Sequence, residues 1–306
     1  MENRLTVSSS PHIHTADSTQ GIMLDVLIAL MPATIYGVVL FGWRAALIIA
    51  VCVASAVLSE FIWNKATKKE NSLADLSAVV TGLLLALNLP SSLPVWMAAL
   101  GSAVAIIIVK QMFGGLGQNF ANPAITARIV LMVSFPAAMT TFYKPLAGIE
   151  TSATPLVNQE YQSLKHLADL FWGAHGGCIG EISAAMLLLG GIYLVLRRVI
   201  SPIIPLSFVG TVYVFSWILG VNQPLTAILS GGLLLGAIFM ATDYVTSPTY
   251  PLGKLIFGVG CGILTVVIRR FAALPEGVSY SILLMNLLVP YINRFTSRKP
   301  FGMEGK

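Results

Sequence analysis

Thr151-Ser152-Ala153-Thr154, with Pro155 behind it, places a threonine hydroxyl among small neighbours in the one long polar connection of an otherwise apolar chain. Pro155 disfavours helical backbone at the residue before it, so Thr154 is predicted to be extended. An exposed, extended run of small residues is what a modifying enzyme can grip, and a free β-hydroxyl can attack phosphorus. The chemistry on offer is therefore a phosphoester through Thr154. Hydroxyl-rich runs are also ordinary loop composition. The match carries weight through its position, in an exposed loop that a modifying enzyme can reach.

Two further groups carry polar residues at helix boundaries. The first, Gly114-Gly115-Leu116-Gly117-Gln118-Asn119-Phe120-Ala121-Asn122-Pro123-Ala124, holds neither G-x-G-x-x-G nor a Walker pattern and follows no strand, which excludes a nucleotide loop. Its glycines either make a tight re-entrant turn for close helix packing, or free backbone groups that line a polar cavity with Asn119 and Asn122. Arg128 lies just inside the helix that follows. An unpaired charge there is expensive, so it must meet a carboxylate, a headgroup, or a cofactor's phosphate or ring edge. The second group is Met240-Ala241-Thr242-Asp243-Tyr244-Val245-Thr246-Ser247-Pro248. Asp243 either caps the next turn, pairs with a buried cation such as Arg128, or joins Thr242 and Thr246 as an oxygen ligand of a coupling ion or cofactor. Asp25 and Glu60 read as boundary charges or as members of an ion path.

Cysteine and histidine narrow the redox options. Cys52 and Cys261 fall in apolar runs and Cys178 near the end of the long loop, with no C-x-x-C pair, so this chain alone cannot supply a four-cysteine cluster. His12, His14, His166 and His175 all lie in polar segments, away from the places where axial haem ligands would have to stand. No catalytic set and no metal-ligand set is predicted.

The elements that must position these groups are set by composition. With 56% apolar residues, 10% charged residues and a mean hydropathy of +0.82, the chain reads as an all-α integral membrane protein. Runs long enough to approach a span of about 20 residues occur at 21–41, 45–63, 76–89, 94–112 and 123–135, then at 181–196, 203–219, 224–241, 252–268 and 278–292. About ten helices are expected, five and five. The third and fifth look too short to cross unaided, so their ends are expected to unwind inside the protein. Thr81-Gly82-Leu83-Leu84-Leu85-Ala86 is echoed by Gly231-Gly232-Leu233-Leu234-Leu235-Gly236. An odd number of helices per set inverts the second set, the design with discontinuous helices that transporters use to build a central site. The organisation is then a cytoplasmic N-terminal segment 1–20, a first five-helix repeat 21–135, an extracytoplasmic loop 136–180 carrying Thr154, a second repeat 181–293 and a cytoplasmic tail 294–306.

Lys and Arg set the orientation. Twelve fall on one side (Arg4, Lys65, Lys68, Lys69, Lys110, Arg197, Arg198, Lys254, Arg294, Arg298, Lys299, Lys306) and five on the other (Arg44, Lys144, Lys165, Arg269, Arg270). Both termini are therefore placed in the cytoplasm and the long loop outside. The net charge of +5 reflects this topology and anionic lipid rather than nucleic acid.

Taken together, Ser9-Ser10-Pro11-His12, Gly114-Gly115-Leu116-Gly117 with Asn122-Pro123-Ala124, Thr151 to Leu156, and Met240 to Pro248 resemble the RnfD family of membrane proteins from Rnf ion-translocating oxidoreductase complexes. More distantly they resemble the related NqrB proteins of the sodium-translocating NADH:quinone reductase. The resemblance spans essentially the whole chain. It implies a ten-helix subunit of the bacterial cytoplasmic membrane with FMN bound covalently at Thr154 by a flavin transferase. It also implies electrons arriving from a second flavoprotein subunit, within a complex that joins ferredoxin and NAD to Na+ or H+ movement. Some members hold a further, non-covalent riboflavin. Ser152 stands where many such attachment sites have Gly, and Gly148 where an acidic residue is common. Enzyme status would belong to the assembled translocase, since this chain has no nicotinamide site. The competing reading is an inverted-repeat transporter or channel with no redox role, which leaves Thr154 without a use; so does a purely structural scaffold.

Overall fold

The computed structural model describes residues 18–69, 72–143, 145, 151–152, 167–173, 175–220, 223–272 and 277–297. It is a helical bundle. Helix α1, Thr19–Phe41, starts where Ser18 Oγ accepts from Gly21 N at 3.1 Å, and it turns through Gly42, at φ 72°, directly into α2, Trp43–Thr67. A 3₁₀ turn, Leu73–Asp75, leads to α3, Ser77–Leu87. Helix α4, Val95–Ala103, continues as a π-helix, Val104–Gln111, and α5 is Pro123–Ser134, followed by the short α6, Pro136–Met139. Two-residue strands β1, Phe142–Tyr143, and β2, Thr151–Ser152, pair antiparallel. After α7, Leu167–Trp172, come α8, Ala184–Leu196, and α9, Ile203–Ile218. Then follow α10, Pro224–Leu229, and α11, Leu233–Leu235, which runs into a second π-helix, Gly236–Met240. Helices α12, Pro251–Phe271, and α13, Val278–Thr296, close the chain.

Among the described residues three helices, α1, α2 and α12, are long and apolar enough to cross a bilayer, and α3, the α4 segment, α5, α8 and α9 are shorter apolar helices. Large apolar side chains stand outside: Val39, Trp43, Leu196, Trp217, Phe271 and Phe295 are all exposed. Such a surface suits a protein dissolved in hydrocarbon, where helices associate by close packing rather than by escape from water. Small residues provide that closeness. A Cβ on Gly190 of α8 would lie 2.1 Å from the Ala29 carbonyl of α1. Helix α1 packs on α8, α5 on α13, α9 on α12, and α2 on both α3 and α4.

The structure corrects three expected boundaries. The third helix stops at Leu87, and Asn88 to Pro94 is unwound, in line with its shortness. The sixth begins at Ala184 rather than Glu181, because Ser183 caps it, accepting from Met186 N at 3.4 Å. The residues before Ser183 instead enter the bundle extended: Pro90 bridges Cys178, Ile179 N donates to Leu89 O at 3.0 Å, and Gly180 N donates to Leu87 O at 2.8 Å. Burying this irregular backbone is tolerated because each strand satisfies groups of the other. The run expected as one helix over 224–241 is broken at Ser230-Gly231-Gly232, where both glycines have positive φ, 67° and 65°. Two consecutive left-handed residues end a right-handed helix.

Candidate functional site

Arg128, 2% exposed, lies where the unwound parts meet. Its Nη1 donates to Asn88 Oδ1 at 2.6 Å, at the end of α3, and its Nη2 faces Glu181 Oε1 at 3.0 Å and Cys178 Sγ at 3.5 Å on the re-entering strand. Glu181 in turn abuts the break between α10 and α11: a Cβ on Gly232 would sit 2.4 Å from Glu181 Oε1. One buried ion pair thus touches the end of α3, the extended strand and the break that follows α10. Of the partners considered for Arg128, the carboxylate is the one observed, and it is Glu181 rather than Asp243. The reason is axial distance. Asn122, which starts α5, is level with the 240–246 segment, and Arg128 stands six residues on, about 9 Å further along the helix.

The other predicted residues come together below this crossing. Asn119, Asn122, Thr242 and Asp243 line a cavity of about 110 Å³ with Lys110 and Ser77. Asn122 caps α5, its Oδ1 accepting from Ala124 N at 3.0 Å and Ile125 N at 3.3 Å, while its Nδ2 donates to Met240 O at 3.3 Å. Asn286 of α13, its amide oriented so that nitrogen donates to Thr246 O at 3.0 Å and oxygen accepts from Asn122 N at 3.2 Å, closes the ring. Asn119 Oδ1 is buried and has no hydrogen-bond partner among the described residues. Asp243 accepts from Thr246 Oγ1 at 3.0 Å and Val245 N at 3.4 Å, so it does cap its own turn. Burial pushes its carboxyl above the ordinary range, against the pull of those two donors. Thr246 spends its hydroxyl on Asp243 and is itself buried.

Sequence reasoning missed the buried pair beside this cavity. Lys110, expected as a loop cation, is 1% exposed, and Glu60 is 0% exposed. Lys110 Nζ donates to Glu60 Oε1 and Oε2 at 2.9 and 3.0 Å and to Ser77 Oγ at 2.5 Å. Gln111 Nε2 and Ser72 Oγ also donate to Glu60 Oε1, at 2.8 and 2.7 Å. The signal was present: Lys110 sits in Val-Ala-Ile-Ile-Ile-Val-Lys and Glu60 late in an apolar helix, with 50 positions between them. The π-helical turn, with its extra residue, brings Lys110 and Gln111 inward together. Asp25 is a clasp between helices, accepting from Tyr193 Oη at 2.8 Å and Arg197 Nη2 at 3.2 Å. Arg269, expected as a free outer charge, donates to three backbone carbonyls, of Ala227 at 2.6 Å, Gly231 at 3.0 Å and Ser230 at 3.2 Å.

Thr154 lies outside the described residues. Two residues before it, β2 runs in register with β1, Ser152 opposite Phe142 and Thr151 opposite Tyr143. The described backbone at Thr151–Ser152 is therefore extended. Cys52 and Cys261, which fall in apolar runs of the sequence, are buried in the apolar core.

Residues 6–302 match the profile described as the NQR2, RnfD, RnfE family. The chain is 49% identical to the D component of the Na(+)-translocating ferredoxin:NAD(+) oxidoreductase complex of Acetobacterium woodii, covering 99% of this chain and 96% of that one. It is 42% identical to the D component of the proton-translocating ferredoxin:NAD(+) oxidoreductase complex of Clostridium ljungdahlii, over 98% and 97% of the two chains. It is 38% identical to the D component of the ion-translocating oxidoreductase complex of Stutzerimonas stutzeri, over 94% of each.

Proposed function

The chain belongs to the NQR2, RnfD, RnfE family, and on that premise we propose that it is the electron-carrying membrane subunit of an Rnf-type ferredoxin:NAD oxidoreductase complex. It carries covalent FMN on Thr154 and couples electron flow to Na+ or H+ translocation. The observation that carries the attachment is the β1–β2 ladder, which makes the backbone extended at Thr151–Ser152, two residues before a threonine whose following Pro155 disfavours helix. A transferase that must lay the chain along its own cleft finds such a segment ready. FMN, when bound, supplies exchange of one or two electrons, and the protein supplies position and field. A non-covalent riboflavin is implied by the resemblance alone.

The ion-coupling half of the proposal draws on the crossing at Arg128. Ten spans in two inverted sets of five account for three features at once. First helix meets first (α1 on α8), fifth meets fifth (α5 on α13), and beside one ion pair the third of the first set stops short while the third of the second set is broken. Arg128 and Glu181 hold both interruptions, so any movement of one is felt at the other. Coupling then needs two arrangements of these half-helices with different cation affinity. Placement of both termini in the cytoplasm gains from the side-chain positions, since Lys110 and Arg269, one expected on each side of the membrane, are tied up inside the protein. The partners are the remaining Rnf subunits, a second flavoprotein among them, together with the flavin transferase and the bilayer. The multi-pass chain lies in the bacterial cytoplasmic membrane with the Thr154 loop outside.

In-gel fluorescence of the denatured chain, expressed with its transferase and compared with Thr154→Ala, tests the reading. A fluorescent wild-type band and a dark variant are expected. A dark wild-type band would reject covalent flavin and leave the inverted-repeat transporter or channel.

A further inference from the structure

The end of α10 and the break after it present three backbone carbonyls to one guanidinium. Arg269 Nη1 donates to Ala227 O at 2.6 Å, and Nη2 donates to Gly231 O at 3.0 Å and Ser230 O at 3.2 Å. Carbonyls at a helix C-terminus have no partner within the helix and carry the negative end of its dipole. Here Ser230 is 1% exposed and Gly231 is buried, so little water reaches them. The Ser230 hydroxyl turns back onto the Thr226 carbonyl, which leaves the Ser230 carbonyl to the guanidinium.

We propose that the carbonyls of Ala227, Ser230 and Gly231 form a binding site for a small monovalent cation of the Na+ type, at which the Arg269 guanidinium is the resident that the incoming ion displaces. Carbonyl ends of interrupted membrane helices are a recurrent way of coordinating Na+. Arg269 is placed to leave. It belongs to the last turn of α12, is only half-buried, and is followed by exposed Phe271, so its long side chain can swing toward the interface.

Two features separate this arrangement from a plain helix cap. The break has two sides: the Gly231 carbonyl faces Arg269, while the next residue, Gly232, lies against Glu181 of the Arg128 pair. Exchange of the cation at one residue is therefore transmitted to the crossing through a single peptide. The first helix set also holds a buried cation, there by side chains: Lys110, at the end of the α4 segment, donates to Glu60 and to Ser77 at the start of α3. With α12 the fourth helix of its set, Arg269 and Lys110 are counterparts at opposite ends of the bundle. The proposal rests on the ion-translocating reading and places the outer portal of the path at α10.

The test is thermal stability of the purified full-length chain in detergent, with NaCl, LiCl, KCl or choline chloride at equal ionic strength. Arg269→Ala should lower Tm, and Na+ should restore at least half of the loss along a saturable curve while choline restores none. Arg269→Gln, which retains one donor and keeps the chain foldable, should show the same selectivity with a smaller loss. Arg269→Lys should lose most of the Na+ response, because its ammonium refills the site. Arg270→Ala sets the background. If neither Arg269→Ala nor Arg269→Gln responds to Na+ more than to choline, or more than Arg270→Ala does, the site does not exist. Repeating the series in Thr154→Ala makes the outcome independent of flavin, so a negative result with a fluorescent wild-type band leaves the electron-carrier reading standing.

Discussion

Lys110→Met keeps a long unbranched side chain in place and removes only the ammonium. At 2.9 to 3.0 Å from both oxygens of Glu60, a unit charge pair in an effective dielectric of 20 is worth about 5 to 6 kcal/mol of Coulomb energy. Part of that repays desolvation. The expected loss on removing one partner is about 3 to 5 kcal/mol, since Glu60 at 0% exposure is left charged with only Ser72 and Gln111 donating to it. Adding Glu60→Gln should restore most of this, to within about 1 to 2 kcal/mol of wild type, because the uncompensated charge is gone while an acceptor for Ser72 and Gln111 remains. Reversible unfolding of the purified chain by SDS titration in mixed micelles measures both. The reasoning fails if Lys110→Met lies within about 1 kcal/mol of wild type, or if the double variant is as unstable as the single one. Either result would mean that the adjoining cavity hydrates Glu60 and that the pair does not tie α2, α3 and the π-helical turn together.

Other substitutions test the remaining joints. Gly232→Ala forces a Cβ onto a left-handed residue at about 1 to 2 kcal/mol and 2.4 Å from Glu181 Oε1. It should lower stability in the same titration and abolish ion uptake by the assembled complex while leaving flavin fluorescence unchanged. Asn122→Ala removes the cap of α5 and should cost about 0.5 to 2 kcal/mol. The same change leaves the Ala124 and Ile125 N–H groups without their Oδ1 acceptor, so amide exchange at the start of α5 should quicken. His175 is held below its ordinary 6.5 by burial, against hydrogen bonds to the Gly176 and Ile182 backbone and the charge of Asp169. The folded chain prefers the neutral ring, so stability is full above about pH 6.5 and falls as pH drops below it, when the unfolded chain takes up the proton first. Melting curves between about pH 7.5 and 5 should show this slope, and His175→Gln should flatten it.

Of the site, the pieces were legible and their pairing was not. Asn119, Asn122, Thr242 and Asp243 stood out because polar side chains at the ends of apolar runs are conspicuous, and they do share one cavity. Arg128 was recognised as needing a partner, a carboxylate being one of the three kinds considered. That the carboxylate would be Glu181 was hidden, because the residue appeared to open a helix and the chain instead enters the bundle extended there. Lys110 and Arg269 were read as loop charges from their places at the ends of apolar runs. A π-helical turn brings the first inside, and three backbone carbonyls, which no side-chain pattern encodes, hold the second.

Composition and the lengths of the apolar runs determined by themselves that this is a helical membrane protein, since transfer of apolar side chains to hydrocarbon depends on residue type and not on partner. The motifs determined the family. Only the tertiary structure decided where helices stop short, which carboxylate meets which cation, and that the interruptions of two distant helices share one ion pair. A buried charge is stabilised by groups within about 3 Å, and in this chain Arg128, Asn88 and Glu181 come from segments 40 and 53 residues apart in sequence, a relation that only packing establishes.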